Sequence, residues 1–309
     1  MSGFTIMRRL AGRLRRAVFG DYVIVRQPLT QAWHHLDAMR RRIVGGQLVV
    51  RFDNVPADFA VDARSDLAAR ALADGDYEPE IVSLLPALPL DGDFINVGAN
   101  VGIIAVGILL SGSRRRVVCV EPLPECVKLL ERNLDQAVVR QRAMIVTAAA
   151  TSESASRGTT LFTVPGRPEY TSGGTLVHAS VRGALSEPVV VDSVRIDDLV
   201  ATEGLNVVGI IMDCEGGEHR ALLGARDVIA RCRPVLILEL DDAMLAANGA
   251  SLSQVLEFLD HHAYDVRDAV TLSPVDWTTF SGTVVGVHQS ASGPLYAAMT
   301  RCGFQPIVT

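Results

Sequence analysis

The chain has 309 residues and a formal net charge of −6, with 49% of its residues hydrophobic and 5% aromatic. This length accommodates one large α/β domain with an appendage or two small domains, and a core of Ala, Val, Leu and Ile is typical of a parallel sheet covered by helices on both faces. No apolar run reaches the roughly 18 to 20 residues of a membrane-spanning helix. The five cysteines lack the spacing of a zinc site, so we expect no metal centre. We also expect the protein to be cytoplasmic.

The N-terminal region differs from the rest of the chain in charge. Residues 1–50 hold nine arginines and two aspartates, about +7, which leaves about −13 for the remainder. Within residues 1–20 the apolar side chains share one helical face, as in a helix that either packs on its own domain or lies on an anionic membrane. We predict a basic, helical or mixed extension over residues 1–75, with peripheral contact to the inner membrane as one of these two interpretations. Because the basic charge is confined to this segment, nucleic acid is not an expected partner.

Residues 76–309 are predicted to form the main domain, in which apolar runs alternate with helical patterns. Strands are predicted at Phe94–Val97, Arg116–Val120, Met144–Ala149, Val189–Val191, Val207–Met212, Val235–Leu240 and Thr283–His288. Helices are predicted at Val101–Leu110, from Pro124 onward, after Asp213 and at Leu252–His261, with turns after Val194–Leu199 and before the last strand. This alternation is typical of a doubly wound, mostly parallel sheet. A stretch rich in Ser, Thr and Gly predicts a polar insertion at about 151–180.

A glycine-rich segment follows the first strand of this domain. It reads Phe94-Ile-Asn-Val-Gly-Ala-Asn-Val-Gly102. A glycine directly after a strand allows a sharp turn and a close approach of a ligand to the main chain, and the following helix presents free N–H groups. The glycines are spaced G-x-x-x-G, whereas a dinucleotide site would show G-x-G-x-x-G. The segment therefore predicts a nucleoside site without a pyrophosphate cradle.

The next strand ends at an acidic residue, Glu121, which lies 23 residues after Gly98. A carboxylate at this place can accept hydrogen bonds from both ribose hydroxyls of a nucleoside. The glycine loop and the spaced acid together favour S-adenosylmethionine as the cofactor over NAD.

A third segment is an apolar strand that ends in acids and glycines, Ile210-Ile-Met-Asp-Cys-Glu-Gly-Gly-Glu218. Open α/β sheets bind ligands at the carboxyl ends of their strands. Asp213 and Glu215 are therefore candidates for a general base, together with Glu239 at the end of the strand Val235–Leu240. Glu218 has the alternative interpretation of an acid that favours the start of the next helix.

These motifs, taken in chain order, resemble the FkbM family of S-adenosylmethionine-dependent methyltransferases. The resemblance covers roughly residues 77 to 240, and the ordered series is more specific than any single motif. Its members are Tyr77-Glu-Pro79, Asn96-Val-Gly-Ala-Asn-Val-Gly102, Val120-Glu-Pro122, Asn133, Ile196-Asp-Asp-Leu199, Met212-Asp-Cys-Glu-Gly216 and Leu223-Gly-Ala225.

The resemblance implies a fold, an activity and a set of site residues. The fold is an α/β, class I methyltransferase-like Rossmann fold, with a doubly wound, seven-stranded, mostly parallel sheet and an antiparallel last strand. The activity is in-line transfer of a methyl group to a hydroxyl of a small-molecule or glycan acceptor, such as a sugar or a secondary metabolite. The cofactor-binding residues are Glu78, Asn96, Gly98, Ala99, Asn100, Gly102, Glu121, Pro122, Ala148 and Asp213, with Glu121 at the ribose and Ala148 beside the adenine.

Two positions depart from the family pattern. Asn96 stands where the family usually has Asp, and Ile211 stands where it usually has Lys. Asn96 can still form hydrogen bonds, but it lacks the charge that would pair with the ammonium group of the cofactor. A catalytically impaired cofactor-binding module, acting as a partner or a membrane-associated scaffold, is therefore the alternative interpretation.

Overall fold

The computed structural model describes residues 46–63, 65–73, 75–153, 160–165, 186–277 and 280–301. The predicted amphipathic leader and most of the predicted polar insertion lie outside these residues. The strands are β1 (Gln47–Phe52), β2 (Val55–Asp62), β3 (Asp93–Val97), β4 (Arg116–Val120), β5 (Ala143–Val146), β6 (Ala149–Ala150), β7 (Thr160–Pro165), β8 (Ser186–Val191), β9 (Ser193–Val194), β10 (Val207–Met212), β11 (Val235–Leu240), β12 (Tyr264–Asp268) and β13 (Gly282–His288).

The helices alternate with the strands of the main sheet. They are α1 (Asp66–Ala73), α2 (Pro79–Val82), α3 (Ile103–Leu110), α4 (Pro124–Gln136), α5 (Ile196–Glu203), α6 (Glu218–Gly224), α7 (Arg226–Cys232), α8 (Asp242–Ala247), α9 (Leu252–His261) and α10 (Ser292–Arg301). Short 3₁₀ turns follow α2 and α4, at Leu85–Ala87 and Arg140–Arg142. None of the helices in the described part of the chain is long and apolar enough to cross a membrane.

The main sheet has seven strands in the order β12-β13-β11-β10-β3-β4-β5. Neighbouring strands from β11 to β5 are parallel, whereas β13 is antiparallel to both β11 and β12. The prediction of a doubly wound, seven-stranded sheet with an antiparallel last strand is confirmed. The chain has the α/β fold of class I methyltransferases.

Alternation along the central strand builds a core on each face of the sheet. Phe94 belongs to the core that α3, α4 and the β1–β2 hairpin cover, whereas Ile95 and Val97 belong to the core beneath α5, α6, α7 and α9. All three side chains are at most 2% exposed. Both faces of β3 are therefore buried, as a central parallel strand requires.

The β1–β2 hairpin is tied to the main sheet through Asn133 of α4. The Asn133 side chain is fully buried, accepts a hydrogen bond from the Ala60 N–H (2.6 Å) and donates to the carbonyl oxygens of Ala60 (3.0 Å) and Val101 (2.7 Å). This side chain thus joins β2, α4 and the start of the α3 turn. The hairpin shares the core of the main sheet.

Three local predictions were wrong. The region after α9 contains a strand, β12, where only a turn was predicted. Because β12 is an edge strand that pairs with β13 alone, most of its side chains are only partly buried, and its polar residues hide the strand pattern in the sequence. The segment at Val194–Leu199 enters helix α5, whose first turn carries Asp197 and Asp198. The single strand predicted at Met144–Ala149 is divided into β5 and β6, and β6 leaves the main sheet to pair with β9.

Candidate functional site

A cavity of about 290 Å³ lies at the carboxyl ends of β3, β4, β10 and β11. Most of the predicted site residues line it: Glu78, Gly98, Asn100, Glu121, Pro122, Ala148, Asp213, Glu215 and Glu239. Asn96 and Ala99 line a smaller adjoining cavity, together with Tyr77, Glu78 and Asp213. Gly102 lines neither cavity.

Gly98 lets the glycine loop pack directly against the loop that follows β10. Its φ of +77° lies in the left-handed region, and a Cβ built on Gly98 would come within 1.8 Å of the Asp213 carbonyl oxygen. Any side chain at this position would push the two loops apart. Gly102 serves packing in another direction, because a Cβ on it would meet the Leu130 side chain of α4 at 2.5 Å.

Glu121 holds the glycine loop in place. Its Oε2 accepts a hydrogen bond from the Asn100 N–H (2.8 Å), and its Oε1 accepts one from the Leu123 N–H (2.9 Å). Glu121 is 5% exposed, and burial raises its pKa to about 7, although the hydrogen bonds from Leu123 and Asn100 act in the opposite direction. Each carboxylate oxygen keeps a lone pair for a donor inside the cavity.

The two departures from the family pattern are neighbours in the sheet. Asn96 of β3 lies opposite Ile211 of β10 in the strand register, and each is 2% exposed. Asp and Lys at these two positions would form a buried pair of opposite charges. This chain has Asn96 and Ile211 instead, so both charges of that pair are absent. The Asn96 Nδ2 is buried without a hydrogen-bond partner among the described residues.

Three carboxyl groups from distant parts of the chain meet at one side of the cavity. Asp213 follows β10, Glu239 lies near the end of the neighbouring parallel strand β11, and both side chains line the cavity. Burial, and then the charges of Glu239 and Glu78, raise the pKa of Asp213 well above its usual range. Burial and the charges of Glu239 and Glu80 raise the pKa of Glu78 to about 8. Such a group can hold or accept a proton near neutral pH.

The backbone around these acids adopts conformations that non-glycine residues rarely take. Glu78, Asn100 and Glu215 have φ values of +34°, +49° and +55°. Backbone of this kind is costly and clusters at functional sites, where the surrounding structure enforces it. Here it occurs on three separate segments that border the same cavity.

Glu218 orders the loop between β10 and α6. It is 1% exposed, and its Oε1 accepts hydrogen bonds from the N–H groups of Cys214 (2.9 Å) and Gly216 (3.3 Å). Glu218 lies in the first turn of α6, as the interpretation of an acid at the start of a helix requires. Glu218 also lines the cavity, which that interpretation does not predict.

Sequence reasoning missed several residues of the lining, among them Arg70, Glu80, Ala149, Ala150 and Asp241. Two of them carry a signal that was available. Asp241 directly follows β11, at the edge where ligands bind in such sheets, and Glu80 lies two residues after Glu78. Arg70 carries no signal of this kind, because only the packing of α1 brings it to the cavity.

The residues of the cavity fit S-adenosylmethionine. The Asn100 Oδ1 is buried without a hydrogen-bond partner among the described residues and can accept from the ammonium group of the methionine moiety. The small side chains of Ala148, Ala149 and Ala150 line the cavity together with the Glu121 carboxylate and leave room for a flat purine. In the described ranges, no three His, Cys, Asp or Glu side chains are placed to hold a metal ion together.

Comparisons with solved structures found distant similarity to methyltransferases. The chain is 17% identical to the methyltransferase FkbM from Methylobacillus flagellatus KT, over 65% of this chain and 47% of that one, with a TM-score of 0.40. It thus spans about half the length of that protein. The precorrin-6y C5,15-methyltransferase from Geobacter metallireducens GS-15 is 16% identical over 69% and 89% of the two chains, with a TM-score of 0.38. Fibrillarin from Aeropyrum pernix, in complex with natively bound S-adenosyl-L-methionine, is 14% identical over 79% and 84%, with a TM-score of 0.37.

No curated protein matches the sequence. The family model described as the methyltransferase FkbM domain matches residues 96–266, which is more than half of the chain. This range begins at Asn96 in the glycine loop and ends within β12. The chain therefore belongs to the FkbM family of methyltransferases, and its cofactor is S-adenosylmethionine.

Proposed function

We propose that this protein transfers the methyl group of S-adenosylmethionine to a hydroxyl group of a sugar, a glycan or another small hydroxylated metabolite. The observation that carries this proposal is the group of carboxylates Asp213, Glu239 and Glu78, which comes together in the cavity from three separate segments of the chain. These groups line the same cavity as the glycine loop and Glu121. A hydroxyl acceptor needs a group that takes up its proton, and a carboxylate in the lining of the cavity can do so.

The cofactor side of the cavity would act by alignment. S-adenosylmethionine, when bound, supplies a methyl group that a nucleophile displaces in line, so placing the two reactants correctly provides much of the rate enhancement. We assign the ribose hydroxyls to Glu121 and the ammonium group to the Asn100 side chain. Gly98 leaves the main chain open to the methionine moiety, and Pro122 and Ala148 border the base.

The carboxyl group of Asp213 would act as the general base. Asp213, with Glu239 and Glu78 near it in the lining, would take the proton of the acceptor hydroxyl as the hydroxyl oxygen bonds to the methyl carbon. The raised pKa of Asp213 makes it a stronger base than an ordinary carboxylate. Glu215 borders the same space and would contact the acceptor.

Calorimetry and a methyl-transfer assay test this proposal together. We expect S-adenosylmethionine to bind, and Asp213→Asn to lower kcat on a hydroxylated acceptor by about 10²- to 10⁴-fold while cofactor affinity changes little. Glu203→Gln, at the exposed end of α5, is the matched control. Absence of cofactor binding at high micromolar concentration would contradict the proposal.

One observation supports the second candidate, a cofactor-binding module with impaired catalysis. Asn96 leaves the site without the carboxylate that the family usually carries there, and its Nδ2 has no partner within the described structure. Cofactor binding without turnover on a broad panel of acceptors would favour this module. Membrane attachment through the leader stays a prediction, because residues 1–20 lie outside the described residues; liposome flotation with and without them tests it.

A further inference from the structure

The turn of the β1–β2 hairpin holds the chain just before α2. Asn54 belongs to that turn and directly precedes β2. Its Oδ1 accepts a hydrogen bond from the Tyr77 N–H (2.9 Å), and its Nδ2 donates one to the Tyr77 carbonyl oxygen (2.6 Å). A single side chain thus satisfies both backbone groups of a residue that lies 23 positions further along the chain.

Further contacts join the same segment to the hairpin. The Asp53 N–H donates a hydrogen bond to the Gly75 carbonyl oxygen. Gly75 has a φ of +76°, and a Cβ on it would come within 2.7 Å of the Asp53 Oδ2, so the two chains approach closely here. The buried Tyr77 ring meets the buried Phe52 ring of β1 edge-on, with 5.2 Å between the ring centroids. Backbone, ring and side-chain contacts together hold residues 75–77 on the hairpin.

The next residue, Glu78, has a backbone conformation that these contacts help to enforce. Its φ is +34°, in the left-handed region, and its carbonyl oxygen accepts hydrogen bonds from the N–H groups of Ile81 and Val82 at 3.0 Å each. A non-glycine residue keeps such a conformation only where the structure on both sides fixes it. Here α2 fixes the side that follows Glu78, and the bonds between Asn54 and Tyr77 fix the side that precedes it.

The Glu78 side chain serves the cavities and does not cap the helix that it precedes. A residue at the N-cap commonly accepts a hydrogen bond from the first turn through its side chain, but within the described structure Glu78 forms no such bond. Its side chain lines the main cavity and the smaller adjoining one, as Gly98 and Asn100 of the glycine loop also do. Glu78 therefore borders the part of the site that we assign to the methionine moiety.

From these contacts we propose that Asn54 is a positioning residue of the cofactor site, which holds Glu78 against the methionine moiety of S-adenosylmethionine. Asn54 lines neither of the two cavities and acts through the backbone of Tyr77. The hairpin lies outside the range 96–266 that the family model matches, and through Asn54 it becomes part of the cofactor site. This inference rests on the proposed cofactor contacts and extends them to a residue outside the cavity.

The physical reason is that an uncommon backbone conformation relaxes when its anchors are removed. Without the Asn54 side chain, water can satisfy the Tyr77 N–H and carbonyl groups, and the backbone at Glu78 can rotate toward a more common φ. Such a rotation moves the Glu78 carboxyl group relative to the glycine loop. The contact with the cofactor is then lost, although the sheet and its cores remain intact.

A double-mutant cycle tests the inference in binding, without any need for turnover. Calorimetry measures the affinity for S-adenosylhomocysteine of the native protein, Asn54→Ala, Glu78→Ala and the double variant. We expect each single substitution to weaken binding by about five-fold or more. The double variant should bind no more weakly than Glu78→Ala, because Asn54 acts through Glu78. Urea unfolding of the four proteins verifies that each is folded at the assay temperature.

Two more variants separate this role from a general effect on the hairpin. Asn54→Asp keeps the size of the side chain and the acceptor for the Tyr77 N–H, but it loses the donor to the Tyr77 carbonyl oxygen. Its affinity should lie between those of the native protein and Asn54→Ala. Arg51→Ala removes an exposed ion pair with Asp58 on the same hairpin and should leave the affinity unchanged.

Several outcomes would overturn the inference. These are native affinity in a folded Asn54→Ala, native affinity in Glu78→Ala, effects of the two substitutions that multiply in the double variant, or an equal loss in Arg51→Ala. Failure of the proposed function is a separate result. If the native protein binds the cofactor and methylates a hydroxylated acceptor, and Asn54→Ala does both equally well, only the positioning role is wrong. If the native protein binds no cofactor, both proposals are wrong.

Discussion

Asn96 and Ile211 show how two changes at the residue scale can compensate one another. Each alone departs from the family pattern and suggests a damaged site. Side by side in β3 and β10, they replace a buried pair of opposite charges by a neutral pair. Since a buried ion pair often contributes little net stability, its joint loss need not destabilise the sheet.

This pairing predicts a strong coupling between the two positions. Asn96→Asp should lower the free energy of unfolding by about 2–4 kcal/mol at about pH 8, because it places an unpaired charge in the core. Adding Ile211→Lys should recover at least about 1 kcal/mol of that loss. Urea unfolding of the native protein, both single variants and the double variant measures the coupling. Additive effects of the two substitutions would contradict the pairing.

Glu121 gives the proposed ribose contact a pH dependence. Its pKa is raised to about 7 in the free protein, whereas the ionised carboxylate is the better acceptor for two ribose hydroxyls. Affinity for S-adenosylhomocysteine should therefore increase as the pH rises through about 7 and level off by about pH 8. Calorimetry across this range checks the sign. Glu121→Gln should bind more weakly with a flat profile, and an unchanged profile in that variant would remove Glu121 from the ribose.

At the scale of elements, the site depends on two loops that touch through Gly98. The β3–α3 turn and the loop after β10 belong to adjacent strands, and Gly98 lets the first lie on the Asp213 carbonyl group of the second. The first loop carries Asn100, whose N–H donates to Glu121, and the second carries Asp213, which lines the cavity with Glu239. A substitution at Gly98 should therefore disturb both the cofactor side and the acidic side of the cavity.

Gly204 offers a control that separates this contact from backbone strain. Gly204 also has a positive φ, +62°, but a Cβ there would meet nothing within 4 Å. We expect Gly204→Ala to cost about 1 kcal/mol of stability through its backbone conformation alone. Gly98→Ala should cost several times more, on the order of 3 kcal/mol, and should lower cofactor affinity at least about ten-fold. Thermal unfolding and calorimetry measure both effects, and equal costs for the two variants would show that the loops can separate freely.

At the scale of the whole molecule, Asn133 connects the N-terminal hairpin to the cofactor side of the sheet. Its side chain satisfies both backbone groups of Ala60 and the carbonyl group of Val101 just before α3. The hairpin therefore supports the glycine loop from outside the range 96–266 that the family model matches. The boundary predicted at residue 75 stays a prediction, while the described hairpin shares one core with the sheet.

Removing this connection should weaken folding and binding together. Asn133→Ala leaves three buried backbone groups unpaired, and we expect it to lower the free energy of unfolding by about 2–4 kcal/mol. Hydrogen exchange at the Ala60 amide should accelerate, and cofactor affinity should fall through the Val101 contact. Gln136→Ala, at the exposed end of the same helix, is the control. Protection of the Ala60 amide that is unchanged in Asn133→Ala would contradict this connection.

The sequence by itself determined the features that depend on local backbone geometry. Phe94–Val97, Gly98 and Glu121 indicate a strand, a tight turn and a second strand end because the required φ angles and hydrophobic patterns involve only neighbouring residues. The predicted bounds of β4, β10, β11 and α9 match the structure for the same reason. The edge strand β12 escaped prediction because the core buries little of it.

Only the tertiary structure decided which residues meet. Glu78 and Glu239 are far apart in the chain, and they share a cavity because the sheet order places β10 between β3 and β11, so that the carboxyl ends of the three strands meet at one edge. The same order sets Asn96 opposite Ile211, which turns two apparent defects into one neutral pair. Proximity of this kind depends on strand order and register, which sequence separation does not encode. The meeting of Glu78, Asp213 and Glu239 in one cavity follows from that order.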